Sequence, residues 1–285
     1  VYYCDEKPLK INNQIVNFDF PIVMGILNVT PNSFFSESRN VSNAEILHAA
    51  EKILFNGAKI IDVGGFSTRP NAEYVSENEE IRRVSIALDL ILKHFPDVIV
   101  SVDTFQANVV TNLCKNFNVH IINDVGGGMW DEKMFETVAR TKAVYILTHT
   151  SPTRETMMSD FFYNDIAVDV MTFFNNKIKT LNSLGINDII IDMGFGFGKN
   201  IEQNFDLFSK IKYFEIFKMP VLVGISRKSM LQQLLNITAE NSLNSTSVLN
   251  TLALVQGADI LRVHDVKEAV EAVKIFKTLC VCDTI

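Results

Sequence analysis

Eight short apolar runs, most of them rich in β-branched residues and each followed by a helical stretch, recur along this chain. That beat limits the folds open to it more than any other feature. The strand-like runs cover residues 22–27, 59–63, 98–102, 119–122, 143–147, 189–191, 220–223 and 259–263. The helical patterns cover 43–55, 77–94, 106–117, 131–140, 165–184, 201–218, 242–256 and 266–279. Runs this continuously apolar belong to a parallel sheet buried on both faces, with the helices as its outer cover. Eight such units close into a (β/α)8 TIM barrel more naturally than they spread into an open doubly wound sheet, which is the competing arrangement. The 285 residues are also close to the usual size of that barrel. No linker rich in Pro, Gly or Ser interrupts the series, so one domain over residues 1–285 is expected. Residues 1–20 lie outside the beat, and the stretch 9–20, around Asn12-Asn13, reads as a hairpin that closes one end of the barrel.

Charge and cysteine content remove several functions. Lys and Arg number 26 against 33 acids, and the net charge of −7 argues against a general nucleic-acid or anionic-membrane surface, although a local basic pocket is still allowed. No apolar run reaches transmembrane length, and Val1-Tyr2-Tyr3-Cys4-Asp5 has neither the basic nor the hydrophobic part of a secretion signal. Cys4, Cys114, Cys280 and Cys282 are too few and too scattered for a disulfide framework or a zinc site, which suits a reducing cytoplasm.

In a barrel of this kind the chemistry sits at the carboxyl ends of the strands, so the residues that follow each run matter most. The first run ends in Asn28-Val29-Thr30-Pro31-Asn32-Ser33 and the second in Gly64-Gly65-Phe66-Ser67-Thr68-Arg69-Pro70. The third gives Asp103-Thr104, the fourth Asn123-Asp124, and the fifth Thr148-His149-Thr150. The sixth gives Asp192 and a glycine loop, the seventh Ser226-Arg227-Lys228-Ser229, and the eighth Arg262-Val263-His264-Asp265. Taken singly, each has an ordinary structural reading. Asp103 can cap the next helix, Asn123 and Asp124 can form an Asx turn, His149 can be a satisfied core histidine, and Thr68-Arg69-Pro70 can be an exposed loop. Eight polar strand ends on one rim are poorly explained by eight separate accidents.

The glycine loop is Asp192-Met193-Gly194-Phe195-Gly196-Phe197-Gly198-Lys199. Alternate glycines allow positive φ and close approach to a flat ligand, while Phe195 and Phe197 supply apolar walls. Two phosphate motifs do not fit it. The dinucleotide fingerprint needs its third glycine one residue later, and the Walker loop needs Lys followed by Ser or Thr where this chain has Lys199-Asn200.

As a set, the strand-end residues suit a flat, nitrogen-rich heterocycle carrying a phosphorylated group. Asp103, Asn123 and Asp192 offer acceptors and an amide to a ring with amino, N–H and carbonyl edges. Lys228 can meet a ring carbonyl or nitrogen, and Arg262 can stack on the ring while its other donors reach an oxyanion. Asn28, Arg262 and His264 form an anion site, with the Asn28 oxygen as a ligand for Mg²⁺ whose shell a diphosphate would complete.

Over residues 22–277 these pieces, in this order and spacing, resemble the dihydropteroate synthase family of pterin-binding barrels. The matching stretches are Met24-Gly25-Ile26-Leu27-Asn28-Val29-Thr30-Pro31, Gly64 to Pro70, Val102-Asp103-Thr104, Ile122-Asn123-Asp124-Val125, Gly194 to Lys199, Ser226 to Ser229 and Arg262 to Val266. The resemblance implies a (β/α)8 homodimer that joins p-aminobenzoate to 6-hydroxymethyl-7,8-dihydropterin diphosphate and releases pyrophosphate. It implies a pterin pocket of Asp103, Asn123, Asp192, Lys228 and Arg262, a p-aminobenzoate site of Thr68, Arg69, Pro70, Phe197, Lys228 and Ser229, and a Mg²⁺-diphosphate site of Asn28, Arg262 and His264. Catalysis is expected to rest on Asp103, Lys228, Arg262 and His264. Loops at 30–39 and 65–75 are expected to close over the site. The chain departs from the family pattern at Asn32 and Ser36, where loop acids are usual and Glu37 is the nearby replacement, and at Phe66, Asn71, Thr148 and Met193. Two other classes share part of this pattern. A barrel that presents a methylated folate to a corrinoid partner would use Asp103, Asn123 and Asp192 but not Lys228 or His264, and a Schiff-base aldolase would use Lys228 alone.

Overall fold

The computed structural model describes residues 7–11, 14–16, 21–30, 39–66, 75–156 and 161–282. Strands β1 (Leu9–Ile11) and β2 (Gln14–Val16) form an antiparallel pair. They precede β3 (Ile22–Asn28), α1 (Arg39–Phe55), β4 (Ile60–Gly64), α2 (Glu77–His94), β5 (Ile99–Asp103) and α3 (Ala107–Asn116). The series continues through β6 (Ile121–Asp124), α4 (Met134–Thr141), β7 (Val144–Thr148), α5 (Ile166–Ser183), β8 (Ile189–Asp192) and α6 (Ile201–Ser209). A 3₁₀ helix (Ile211–Phe217), β9 (Val221–Val223), α7 (Ser229–Leu235), α8 (Leu243–Val255), β10 (Ile260–Val263) and α9 (Val266–Cys282) complete it. Strands β3 to β10 are parallel and close into a barrel, with β10 pairing with β3. The expected (β/α)8 barrel is therefore the observed fold.

Strand alternation divides the apolar residues into two cores. Val23, Leu27, Ile61, Val63, Val100, Val102, Ile122, Leu147, Ile191 and Val263 point outward and pack beneath the helices. Ile22, Met24, Ile60, Ile121, Val144, Ile146, Ile190, Leu222 and Ile260 point inward and fill the amino-terminal half of the barrel. Leu9 and Ile11 belong to this inner cluster and are 3% and 4% exposed, so the hairpin is the barrel's floor. Lys7 ties the approach to it through its 2.7 Å ion pair with Asp259, whose carboxylate also accepts the Val221 N–H at 2.8 Å.

Three elements differ from the sequence reading for local reasons. The helix expected over 201–218 is α6 followed by a 3₁₀ turn. The tighter turn brings Phe214 and Phe217 to the same side, where both rings meet Phe174 at 5.9 and 6.0 Å. Helix α4 begins at Met134 rather than 131, because Asp131 turns its carboxylate to the N–H groups of Lys133 and, at the start of α3, Ala107. Helix α7 carries no side-chain cap and was not expected from the sequence.

Truncating Ile11 to Ala is predicted to destabilise the chain by about 2–5 kcal/mol, as for other buried large-to-small changes. Urea denaturation measures this, and because the hairpin lies at the far end of the barrel from the polar rim, turnover per folded molecule should stay at the wild-type value.

Candidate active site

The same alternation that places isoleucines in the barrel's lower half places polar residues in its upper half. Continuing inward from Ile60, Ile99, Ile121, Ile190 and Ile260, two-residue steps reach Asp62, Ser101 and Asp103, Asn123, Asp192 and Arg262. Arg262 is the centre of this layer. Its Nε donates to Asp62 at 2.7 Å, and its Nη2 meets Asp62 at 2.7 Å and Asp103 at 2.6 Å. Asn123 donates to the same Asp62 oxygen at 3.0 Å, so one fully buried carboxylate links two of the expected site residues. Burial works against charge on Arg262, yet Asp62 and Asp103 outweigh it and hold the guanidinium above its ordinary value. Burial raises Asp103 to about 7 against the pull of Arg262, with Asp62 adding to the rise.

Asp192 ends β8 and accepts the Gly194 N–H at 2.8 Å, and burial raises its carboxyl above the usual range against the pull of Lys228. The glycine loop beyond it runs with positive φ at Gly194, Gly196 and Gly198. Lys228 donates to the Phe195 carbonyl and lies 4.2 Å over the Phe197 ring, so the seventh strand's lysine and the sixth strand's loop are in contact. Burial lowers Lys228 to about 8. Arg227, beside it, adopts φ 58° and pairs with both oxygens of Asp265 at 2.9 and 2.7 Å, which ties the Lys228 turn to the end of β10. On that end His264 is held through Nδ1 to Ser226 at 3.2 Å. Asn28, the last residue of β3, pairs with Gly64 of β4, where an added Cβ would lie 3.1 Å from the Asn28 amide oxygen and 3.6 Å from the Asp103 Cβ. The missing side chain at Gly64 leaves room between those two residues.

Asp103, Asn123, Asp192, Lys228, Phe197 and Arg262 thus share one rim, with Asn28 and His264 on the strands either side of the β3–β10 seam. Ser229 is exposed at the start of α7. Thr68, Arg69 and Pro70 lie outside the described residues, as do Asn32, Ser36, Glu37 and Asn71 and most of both expected closing loops.

The ordinary readings of single residues divide. Asp103 does not cap α3, whose first N–H is taken by Asp131 instead. Asp124 does make a turn, with its carboxylate accepting from Gly126 and Gly128 at 2.8 Å each and from Tyr145 at 2.6 Å on the outer side of the barrel. His149 is a buried core ring packed edge-on to Phe173, and burial holds it well below its ordinary pKa. Asp62, Ser101, Glu80 and Lys199 belong to this region without having been assigned from the sequence. The signal that finds Asp62 and Ser101 is strand parity, since both fall two residues before a recognised site position. Glu80 is fully buried in the first turn of α2, accepts from Gln106, and lies 2.9 Å from where a Cβ on Gly65 would be. It therefore supports the base of the second loop.

The profile of the pterin binding enzyme family matches residues 24–264. Over 262 residues the chain is 39% identical to the dihydropteroate synthase of Escherichia coli (strain K12), covering 91% of this chain and 92% of that one. The chain belongs to the dihydropteroate synthase family. Its fold matches the Yersinia pestis dihydropteroate synthase solved with a sulfonamide drug at a TM-score of 0.87 and 37% identity, over 96% of this chain and 99% of that one. It matches the Xanthomonas albilineans dihydropteroate synthase solved with 4-aminobenzoic acid at a TM-score of 0.86 and 29% identity, over 96% and 98% of the two chains. The chain is thus a transferase of folate biosynthesis, and the resemblance read from its motifs holds over the whole barrel.

Glu80 offers a test of the electrostatics beneath the second loop. Burial raises its carboxyl to about 7, against hydrogen bonds from Thr104 and Gln106. The folded state therefore keeps a proton that the unfolded chain loses near its ordinary 4.5, so Glu80's contribution is full below that pH and is lost as pH rises through 7. Glu80→Gln cannot ionise and should gain stability relative to the wild type between pH 5 and pH 8, by up to roughly 3 kcal/mol. Urea denaturation at both pH values would show the gain, and equal differences at the two would refute the assignment.

Proposed function

We propose that this transferase, acting as one domain over residues 1–285, joins p-aminobenzoate to 6-hydroxymethyl-7,8-dihydropterin diphosphate, giving 7,8-dihydropteroate and pyrophosphate. The observation that carries the reading is the Arg262 guanidinium held between Asp62 and Asp103 on the rim that also bears Asn123, Asp192 and Lys228. That arrangement presents acceptors to the amino and N–H edges of a pterin and a fixed planar cation to its face. Asp103, Asn123 and Asp192 orient the ring, with Lys228 at its carbonyl edge. Arg262 and His264 meet the diphosphate, and His264 is oriented for this by its bond to Ser226.

The bond from the pterin's exocyclic methylene to the diphosphate oxygen breaks as charge gathers on the leaving group, and Arg262 and His264 stabilise that charge. The methylene carbon becomes electron-poor, and the carboxylates of Asp103 and Asp192 steady it. The aniline nitrogen of p-aminobenzoate is neutral at working pH and forms the new C–N bond with its lone pair, then loses a proton. Phe197, Lys228, Ser229, Thr68, Arg69 and Pro70 place this second substrate. Among the described residues no three His, Cys, Asp or Glu side chains converge as a metal cage. A single amide oxygen on Asn28, beside the space above Gly64, suits Mg²⁺, which keeps its waters and takes other ligands from a diphosphate. When bound, the cation would neutralise charge on the departing pyrophosphate.

We also propose a homodimer in the cytoplasm, without nucleic-acid or membrane partners. Among the described residues no helix is long and apolar enough to cross a membrane. Val248, Leu252 and Val255 form an exposed stripe along α8, and Ile275 and Leu279 are exposed on α9, which packs beside it. An apolar face on two adjoining helices suits a second copy of the chain.

Three measurements bear on these proposals. Purified protein should release pyrophosphate only when Mg²⁺, the dihydropterin diphosphate and p-aminobenzoate are all present, and no release under those conditions would end the reading. Asp62→Asn should lower kcat/KM by about 10²-fold, because Arg262 loses one of its two fixing acids. The double change Val248→Glu with Leu252→Glu should halve the mass seen by analytical ultracentrifugation, and a wild-type chain that sediments as a monomer would remove the dimer.

A further inference from the structure

The mechanism above makes no use of the buried cation Lys199 at the end of the glycine loop. It is 6% exposed, and its partners are backbone carbonyls: Gly194 and Phe197 at 2.9 Å each and His149 at 3.4 Å. Gly194, Gly196 and Gly198 have φ of 62°, 82° and 61°, a curl open to glycine and strained for other residues. That curl turns carbonyls toward one another inside the protein, where their partial negative charges repel and water cannot reach them. A compact ammonium with three donors matches three converging carbonyls, and the planar fork of an arginine does not.

The loop is held from two sides. Lys199 takes the carbonyls of Gly194 and Phe197 from below, while Lys228 takes that of Phe195 and covers the Phe197 ring from above. Asp192 touches this arrangement only through Gly194. It is fixed within β8, where its carbonyl accepts the His149 N–H at 2.8 Å and its side chain accepts the Gly194 N–H at 2.8 Å. The two halves of the site therefore have separate supports. The pterin half stands mainly on strands, through Asp103, Asn123, Asp192 and Arg262, and the aryl-amine half stands on a loop whose shape is set by a buried ammonium.

We propose that Lys199 is a positioning residue for the aryl-amine substrate: its bonds to the Gly194 and Phe197 carbonyls set the place of Phe197 against Lys228 and leave the strand-borne Asp103, Asn123 and Arg262 of the pterin half unaffected. The inference rests on the proposed assignment of Phe197 to p-aminobenzoate. Burial, reinforced by the neighbouring Lys228, lowers Lys199 to about 7 against the pull of Asp192.

The test compares Lys199→Met, which keeps the length and removes every donor, with the wild type. Amide exchange of residues 194–198 should speed up by at least tenfold while that of β8 stays within a factor of two. In the coupled assay the KM for p-aminobenzoate should rise by at least tenfold, while the calorimetric Kd for the dihydropterin diphosphate changes by less than threefold. Unchanged exchange at 194–198, exchange that rises throughout the barrel, or both substrates weakening together would overturn the proposal. If Lys199→Met does not fold, Lys199→Gln retains two donors and should show the same pattern at three- to tenfold. An inactive wild type would instead count against the proposed reaction, because the exchange measurement needs no turnover.

Discussion

A guanidinium shared by two carboxylates inside a closed barrel is the interaction on which the site depends. Arg262, Asp62 and Asp103 come from β10, β4 and β5, so the cluster joins strands on both sides of the seam where the barrel closes. Buried charges are tolerable only when paired and hydrogen-bonded, and removing either acid would leave a desolvated guanidinium with half its partners. The cluster also fixes its neighbours. Asn123 is aimed by Asp62, and Asp103 by Arg262. Replacing Asp62, Asp103 and Arg262 together by apolar residues would suit the barrel's stability equally well, so the acid at 62 is best understood by what it orients.

Around that cluster the charges nearly balance. Asp62 and Asp103 pair with Arg262, and Asp103 and Asp192 on one side and Arg262, Lys199 and Lys228 on the other shift one another's ionisation. A rim of this kind can accept a substrate carrying an anionic tail at one end and an electron-poor carbon at the other. The acids lie on β4, β5 and β8, while Arg262 lies on β10 and His264 directly after it. In the proposed reaction, opposite charges would thereby be offered to the two ends of the bond that breaks.

How much of this could be read in advance follows from the physics of a strand. Continuous β-branched runs announce a two-sided parallel sheet, and eight of them announce closure, so the barrel and its rim were legible. The residues recognised at the rim are those that follow each run, where a charge has no apolar neighbours to hide it. Asp62 was missed because it sits inside Ile60-Ile61-Asp62-Val63, where an acid looks like an imperfection in a core strand. Only the two-residue step from Asp62 to Gly64 reveals that it points into the mouth. Lys199 was legible as part of a loop but not in role, because partners that are backbone carbonyls leave no trace in side-chain identity. Phe66, a departure from the family pattern, has a packing reason: its ring meets Phe105 edge-on at 5.1 Å, and Phe105 meets Trp130 at 5.4 Å. Met193, another departure, faces outward into the helix-side core, so its side chain is decided by packing and the turn after Asp192 is left intact.

The division between strand-borne and loop-borne residues gives the two substrates different demands on the chain. A pterin must be recognised edge by edge, which requires donors and acceptors fixed to within a few tenths of an ångström, and strands hold side chains that well. Asp103, Asn123, Asp192 and Arg262 all stand on strands or at their last residue. The aryl amine needs mainly a flat slot and the correct angle of approach, which a loop can supply if something holds its shape. The glycine loop obtains that shape from ammonium groups on both of its sides and from Asn204, which accepts the Gly196 N–H at 2.7 Å. Its glycines do not meet the spacing of the phosphate motifs, and the structure turns its carbonyls toward lysines, an arrangement that suits a cation and would repel a phosphate. In the proposed reaction the anion's place would then fall to the other strand ends, with Arg262 and His264 as donors and Asn28 as a hard oxygen.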